Sequence, residues 1–397
     1  MVFCNDLHGQ ASTKKLRAQI NRKDNRNIVF NIDEVRNGKQ LSWVIKNAEE
    51  KIPVKEFKES NDSLIVALPF FAAELFLKKT KDGYSGQWKK AGSKGDVFMP
   101  IEITSSHMRY QLPITKNTIN LSGRWRAVFK NDEGKNSDAI AELKQVGNKL
   151  TGSILTTTGD YRFLEGFANG DSLVMSTFDG THAFYFSASI GKNGMLSNGF
   201  FANGPTSLET WEAARDANIE LDETDVLMKA KDPSQKLNFR FPDLNGMMVS
   251  NQDEKFKGKV LVIQIMGSWC PNCMDETAFL SKYYHDKKDI GFEVIGLAYE
   301  YTTDFEKAKI NLMRFKNRFN VEYPMLITGV VSSDPLRTEK TLPLMTPIKA
   351  FPSMIVIGKD GLVKQTHAGY AGPATGIHHE KFKEEFDAMI RKLVKEN

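Results

Sequence analysis

The sequence predicts two architectures in one chain, an antiparallel all-β region (a barrel or a sandwich) followed by a C-terminal α/β domain. Up to residue 215, short β-rich segments with alternating apolar and polar side chains are separated by turn residues. After about residue 236, apolar strands alternate with helical segments, which is typical of an α/β domain. With 41% hydrophobic and 26% charged residues, the chain has the composition of globular domains.

The composition also excludes several classes of protein. The 54 basic and 49 acidic residues leave a net charge of +5, too slight and too scattered for a nucleic-acid partner. Three cysteines are too few for a disulfide scaffold. The longest apolar run, 66–77, is interrupted by Pro69 and Glu74 and is shorter than the ~20 residues of a membrane-spanning helix.

Residues 1–13 are predicted to be an N-terminal tail without a recognisable signal peptide. Cys4 lies where a processed lipoprotein would carry its lipid, so membrane anchoring through Cys4 is one interpretation. A stray thiol near a native start is the other, because Phe3 fits poorly the small residue that lipoprotein cleavage prefers.

Residues 14–215 are predicted to form the all-β region. Turn pairs such as Asn37-Gly38 and Asn193-Gly194 punctuate it, since Gly and Asn accept the positive φ of tight turns. Residues 61–66 resemble residues 170–175, and each is followed by an aromatic strand and a glycine turn. This weak repeat predicts two β units, 14–115 and 120–213, or two halves of one closed barrel. Chance similarity between alternating strands is the alternative.

Residues 216–236 are predicted to be a linker, because they pass from acidic to basic and end in a Pro-Ser turn signal. The stretch 330–348, with Pro343 and Pro347, is predicted to be a surface loop inserted into the C-terminal domain. That domain, 237–397, has predicted helices at 271–288, 304–319 and 379–394, and predicted strands at 259–265, 292–297, 323–327, 353–357 and 362–366.

The segment Trp269-Cys270-Pro271-Asn272-Cys273 carries the chemistry. It places the first sulfur where a predicted strand meets a predicted helix, and the helix dipole and unpaired N–H groups there favour a thiolate. Pro271 suits the first helical turn, where its missing N–H is not needed. At this spacing one thiol can attack a disulfide and the other can resolve the mixed disulfide.

Other readings of the two cysteines are weaker. A zinc site would need two more ligands, and Cys4 is remote in sequence. Haem attachment would need a histidine directly after the second cysteine, where Met274 stands. A purely structural disulfide stays open, although the strand-then-helix context favours redox activity. We therefore expect no metal and no cofactor other than the disulfide.

Residues from about 236 to 395 resemble the thioredoxin fold and, within it, the TlpA/ResA-like thiol–disulfide oxidoreductases of the bacterial cell envelope. The matching residues are 239–246, 256–263, 267–276, 293–296, 351–357 and 360–361. The resemblance implies that Cys270 attacks, that Cys273 resolves, and that a cis-proline at Pro352 faces the disulfide. The partner-binding residues that it implies are Trp269, Pro271, Phe351 and Pro352.

Glu276 follows Cys273 by three residues and therefore lies on the same face of the predicted helix. The resemblance implies a buried acid that exchanges a proton with the resolving thiol. A solvated helix glutamate is the alternative. The family usually has proline two positions later, whereas here Thr277 and Ala278 follow.

The predicted function is the reduction of disulfides in extracytoplasmic proteins, in the periplasm or cell envelope. The expected partners are a disulfide-containing protein substrate and an upstream thiol protein that donates electrons. The alternative is a binding module, in which the β region captures a ligand or an envelope partner and the α/β domain is a scaffold. Solvent access to Cys270 distinguishes the two. A thiol peroxidase is disfavoured, because Ile263 and Gly267 replace the Pro and Thr/Ser of its motif.

Overall fold

The computed structural model describes residues 12–69, 73–92, 95–110, 115 and 119–396. Cys4 and most of the predicted tail lie outside the described residues. None of the helices within these ranges is long and apolar enough to span a bilayer.

The first antiparallel sheet has nine strands in the order β4-β3-β2-β1-β9-β8-β7-β6-β5. Buried and half-buried side chains alternate along them, as in β3, where Leu41, Trp43 and Ile45 face the core. The strands are β1 (Ser12–Ile20), β2 (Ile28–Asn37), β3 (Gln40–Asn47), β4 (Glu50–Val54), β5 (Glu56–Glu59), β6 (Ser63–Ala67), β7 (Ala73–Lys79), β8 (Gly83–Lys90) and β9 (Val97–Ser105).

The second sheet also has nine strands, and pairing of β11 with β12 closes it into a barrel. In both sheets the first strand pairs with the ninth, and the ninth to fifth strands follow in order. The strands are β10 (Gly123–Lys130), β11 (Asn136–Val146), β12 (Lys149–Thr156), β13 (Gly159–Asp160), β14 (Leu164–Asn169), β15 (Ser172–Phe178), β16 (Ala183–Ile190), β17 (Leu196–Asn203) and β18 (Ser207–Arg215). The predicted antiparallel all-β region is confirmed, and its sheets are barrel-like.

The C-terminal domain is a thioredoxin-like α/β fold, as predicted. A small hairpin, β19 (Arg240–Pro242) and β20 (Met248–Ser250), precedes the main sheet. The main sheet has the order β23-β22-β21-β24-β25, with β21 to β23 parallel and β24 and β25 antiparallel. Its elements are β21 (Val260–Met266), α1 (Pro271–Lys287), β22 (Phe292–Ala298), α2 (Phe305–Phe319), β23 (Met325–Ile327), α3 (Arg337–Thr341), β24 (Ser353–Ile357), β25 (Val363–Ala368) and α4 (Ile377–Lys395).

The prediction that 330–348 is a surface loop is wrong. The segment contains α3, and Leu342, Met345 and Ile348 are buried in the same apolar cluster as the sheet residues Ile263 and Ile355. Pro343 and Pro347 break the helical pattern but do not keep the segment at the surface, because its spaced apolar side chains gain more by burial.

The chain divides into two compact units. The first comprises residues up to 137 with 143–152 and 163–217. The second comprises 218–397 together with two short pieces, 138–142 and 153–162. The predicted linker, 216–236, contains no helix or strand apart from a single bridge between Ala230 and Met345.

Candidate active site

The cysteine pair lies where β21 ends and α1 begins. Cys270 is the N-cap residue, and its Sγ accepts a hydrogen bond from the Cys273 N–H at 3.2 Å. Pro271 occupies the first helical position, where no N–H is needed. The two cysteines form a disulfide with a Cα–Cα distance of 5.2 Å. The sulfur of Cys270 is thus at the positive end of the α1 dipole.

The loop before β24 brings a second chain segment to the disulfide. The Phe351–Pro352 peptide bond is cis, as the family resemblance implies. The Cys270 Sγ lies 3.4 Å from the Phe351 carbonyl oxygen. A disulfide sulfur has no proton to donate, so this contact can become a hydrogen bond only in the dithiol state.

Aromatic rings surround this loop. The Trp269 indole N–H donates to the Tyr299 carbonyl at 2.8 Å, and its ring stacks on Tyr301 at 4.7 Å. Phe351 contacts the Trp269 ring edge-on at 5.3 Å and the Tyr299 ring at 5.7 Å. A Cβ at Gly267 would lie 2.1 Å from the indole nitrogen, so this position requires glycine. The sequence analysis did not identify Tyr299 or Tyr301.

Glu276 is fully buried in α1. Burial raises the pKa of its carboxyl to about 8. A hydrogen bond from Gln264 has the opposite, smaller effect, because it favours the charged form. Gln264 Nε2 donates to Glu276 Oε2 at 2.8 Å and lies 3.4 Å from the Cys273 carbonyl oxygen. Within the described residues, Glu276 Oε1 has no hydrogen-bond partner.

A second buried carboxyl was missed by sequence reasoning. Glu300 is 3% exposed, and its oxygens accept hydrogen bonds from the Ser268 N–H at 2.8 Å and the Ser268 hydroxyl at 2.6 Å. Burial raises the pKa of Glu300, and the Ser268 hydrogen bonds oppose that shift. No local pattern could have drawn attention to it, because the contact joins residues 32 positions apart.

The structure therefore brings Trp269, Cys270, Cys273, Phe351 and Pro352 together at one end of the sheet. Glu276 lies beneath them and is linked to Cys273 through Gln264. This arrangement can carry out thiol–disulfide exchange, since it offers two sulfurs, a helix N-terminus and a buried acid.

The family model described as Redoxin matches residues 229–379. The ResA thiol–disulfide oxidoreductase of Bacillus thuringiensis subsp. konkukian is 26% identical over 156 residues, covering 39% of this chain and 75% of that protein. ResA of Halalkalibacterium halodurans is 24% identical over 164 residues, which cover 41% of this chain and 78% of that protein.

Solved structures also align with part of the chain. A thioredoxin-family thiol:disulfide interchange protein from Chlorobium tepidum is 18% identical, with a TM-score of 0.32 and coverage of 41% of this chain and 97% of that one. A thiol–disulfide oxidoreductase from Bacteroides fragilis is 19% identical, with a TM-score of 0.28. The alignment covers 40% of this chain and 99% of that one. The C-terminal part of this chain, residues 229–379, thus matches the Redoxin family model and is similar to thiol–disulfide oxidoreductases named ResA.

Proposed function

We propose that this protein reduces disulfides of extracytoplasmic proteins by dithiol–disulfide exchange through Cys270 and Cys273. The observation that carries the proposal is the disulfide at the N-terminus of α1, with one sulfur 3.4 Å from the Phe351 carbonyl oxygen. A helix N-terminus favours the thiolate, which is the attacking form.

The reaction balances as two exchange steps. The Cys270 thiolate attacks one sulfur of the partner disulfide, a mixed disulfide forms, and the first partner thiolate leaves. Cys273 then attacks the Cys270 sulfur, and the second partner thiolate leaves. The partner gains two electrons and the Cys270–Cys273 pair loses two. An upstream dithiol protein restores the pair by the same steps in reverse.

Glu276 is proposed to exchange the proton of the resolving thiol. With a pKa of about 8 it is mostly protonated at neutral pH, with a minor ionised fraction. The ionised form accepts the Cys273 proton when Cys273 attacks, and the protonated form donates to a departing Cys273 thiolate in the reverse direction. Gln264 holds the carboxyl through its Oε2 and leaves Oε1 for this transfer.

The partner chain is proposed to lie along the cis-proline loop. Trp269 and Phe351 are half-buried and offer apolar surface, while Pro271 and Pro352 are buried and shape the floor. No metal or cofactor is needed, because the disulfide itself carries the electrons. A location in the periplasm or cell envelope rests on the family resemblance, and anchoring through Cys4 remains part of this proposal.

One observation favours the scaffold alternative. Cys270 is 4% exposed and Cys273 is fully buried, so access to the disulfide is narrow. In that case the disulfide is structural and the β region captures the ligand or envelope partner. A thiol peroxidase has no comparable support, since Gly267 holds the place of its Thr or Ser.

The reduction potential of the Cys270–Cys273 pair decides between these functions. The protein is equilibrated with glutathione mixtures and its free thiols are trapped, with Cys273→Ser as the control that cannot form the disulfide. A value near about −270 mV supports a reductase that receives electrons from a donor. A value near about −120 mV would make the protein an oxidant and contradict the proposed direction. A pair that is reduced only when the protein unfolds would favour the scaffold.

A further inference from the structure

We propose that residues 153–162, here called the 153–162 segment, form one wall of the active site and select thiol partners by size. This inference rests on the proposed function. The segment includes the end of β12 and all of β13, and it belongs to the same compact unit as residues 218–397. The segment restricts the access of folded partner proteins to the disulfide, whereas small dithiols can reach it.

The segment touches the cysteine motif directly. A Cβ built on Gly159 would lie 1.8 Å from Nδ2 of Asn272, the residue directly before Cys273. Gly159 also has a φ of 140°, which L side chains rarely adopt. Its backbone therefore packs against the motif at a distance that only glycine permits.

The segment also contacts the loop that follows β25. The Asp160 carboxylate accepts a hydrogen bond from the Gly372 N–H at 2.7 Å. A Cβ on Gly369 would lie 2.5 Å from the Thr158 carbonyl carbon, and the Gly369 N–H donates to the Pro352 carbonyl at 2.9 Å. The 153–162 segment thus packs against a loop that is hydrogen-bonded to the cis-proline.

An ion pair fixes the segment to α1. Arg162 Nη1 lies 2.7 Å from Asp275 Oδ2, two residues after Cys273, and the two side chains are only 7% and 18% exposed. Asp160 Oδ1 accepts from the Arg162 N–H at 2.6 Å, which ties the ion pair to the contact with Gly372. A charge-assisted pair at this burial is stronger than an exposed one.

These contacts place the segment beside a disulfide whose Cys270 is only 4% exposed. On the α1 side of the disulfide, the segment contacts Asn272 through Gly159. In the cis-proline loop, the Phe351 carbonyl oxygen contacts the Cys270 sulfur. On this proposal, a small dithiol reaches Cys270 between the segment and the proline loop. A folded partner must either present an extended strand along the proline loop or displace the segment.

The test compares a small and a large reductant on the full chain. Second-order rate constants for reduction of the disulfide are measured with dithiothreitol and with a reduced thioredoxin, in the wild type and in Arg162→Ala. We expect the thioredoxin rate to rise about tenfold on loss of the ion pair, while the dithiothreitol rate changes less than about twofold. Arg162→Lys should restore most of the wild-type ratio.

Two further variants keep the result decisive. Arg391→Ala removes a pair of the same 2.7 Å length within α4 and should leave both rates unchanged. Thr158→Trp enlarges the exposed tip of the segment without removing a buried contact, and should slow thioredoxin but not dithiothreitol. Thr158→Trp thereby tests the wall even if Arg162→Ala does not fold.

The outcomes separate this inference from the proposed function. If the wild type exchanges with both reductants and neither variant changes their ratio, the wall is refuted and the proposed function stands. Equal acceleration of both rates in Arg162→Ala also refutes the wall, because it indicates a more reactive disulfide. If no form exchanges with either reductant, the proposed function fails and this inference fails with it.

Discussion

Glu276 and Glu300 are both buried beside the cysteine motif, but their hydrogen bonds give them different roles. Both carboxylate oxygens of Glu300 are occupied by Ser268, so this side chain fixes the backbone just before Trp269. Glu276 has one oxygen bonded to Gln264 and one without a partner among the described residues. Of these two carboxyls, Glu276 is therefore the one for which we propose proton transfer.

Glu276→Gln should remove a pH dependence of both stability and exchange. The folded protein keeps this proton up to about pH 8, whereas an unfolded glutamate loses it near its ordinary value of 4.5. The wild type therefore loses stability from this group as pH rises from about 4.5 to 8, by up to about 4–5 kcal/mol. Glutamine abolishes that slope, and exchange should slow by about 10²-fold because no proton is transferred.

Denaturant unfolding and exchange rates between pH 5 and 9 check this expectation. Glu385→Gln, at a side chain that is 67% exposed in α4, is the matched control and should leave both profiles unchanged. An unaltered rate profile in Glu276→Gln would show that the buried acid takes no part in exchange.

At the scale of single residues, sequence reasoning succeeded where spacing along one helix decides the position. Glu276 follows Cys273 by one helical turn, and its burial in α1 agrees with the interpretation drawn from that spacing. Its role in proton transfer stays a prediction. Glu300 and Tyr301 reach the site only through tertiary contacts, so no local pattern could have identified them.

Among the secondary-structure elements, strong periodicity made the prediction accurate. The predicted helices at 271–288, 304–319 and 379–394 agree with α1, α2 and α4 to within two residues at each end. Asp304 caps α2 by accepting a hydrogen bond from the Lys307 N–H. The prediction for 330–348 was wrong because Pro343 and Pro347 interrupt the three-residue spacing of the buried side chains Leu342, Met345 and Ile348.

Met345→Ala should destabilise the C-terminal domain. The side chain is fully buried in the apolar cluster with Leu342 and Ile355, so truncation leaves a cavity. We expect a loss of about 2–4 kcal/mol in the free energy of unfolding, measured by chemical denaturation. Met313→Ala, at a site in α2 that is 39% exposed, should cost less than about 0.5 kcal/mol. Equal costs for the two variants would mean that the segment is not part of the core.

On the scale of the whole molecule, the second compact unit is assembled from separate stretches of chain. Residues 138–142 and 153–162 pack with residues 218–397. His378 Nε2, for example, lies 3.2 Å from Glu142 Oε1. The change of pattern near residue 215 was visible in the sequence, but these inserted pieces were not. Their contacts join residues more than 100 positions apart, and no periodicity records such pairs.

A chain that begins at Asn218 should be less stable than the same unit in the full protein. It lacks Asp160 and Arg162, so the Gly372 N–H loses its acceptor and Asp275 loses its ion pair with Arg162. We expect the C-terminal unit to lose about 2–4 kcal/mol, measured by denaturant unfolding followed at the aromatic side chains. The full chain with Asp160→Ala and Arg162→Ala is the matched control and should lose a similar amount. A shortened chain as stable as the full one would contradict this.

The 153–162 segment also has a consequence for the order of events on the ribosome. Asp160 is synthesised 212 residues before Gly372, its hydrogen-bond partner. If the chain is synthesised at about 5–20 residues per second, roughly 10 to 40 seconds pass between synthesis of the segment and synthesis of the loop that it contacts. The nascent β region thus carries the contact partners of Asp275 and Gly372 before α1 and the loop after β25 have been synthesised.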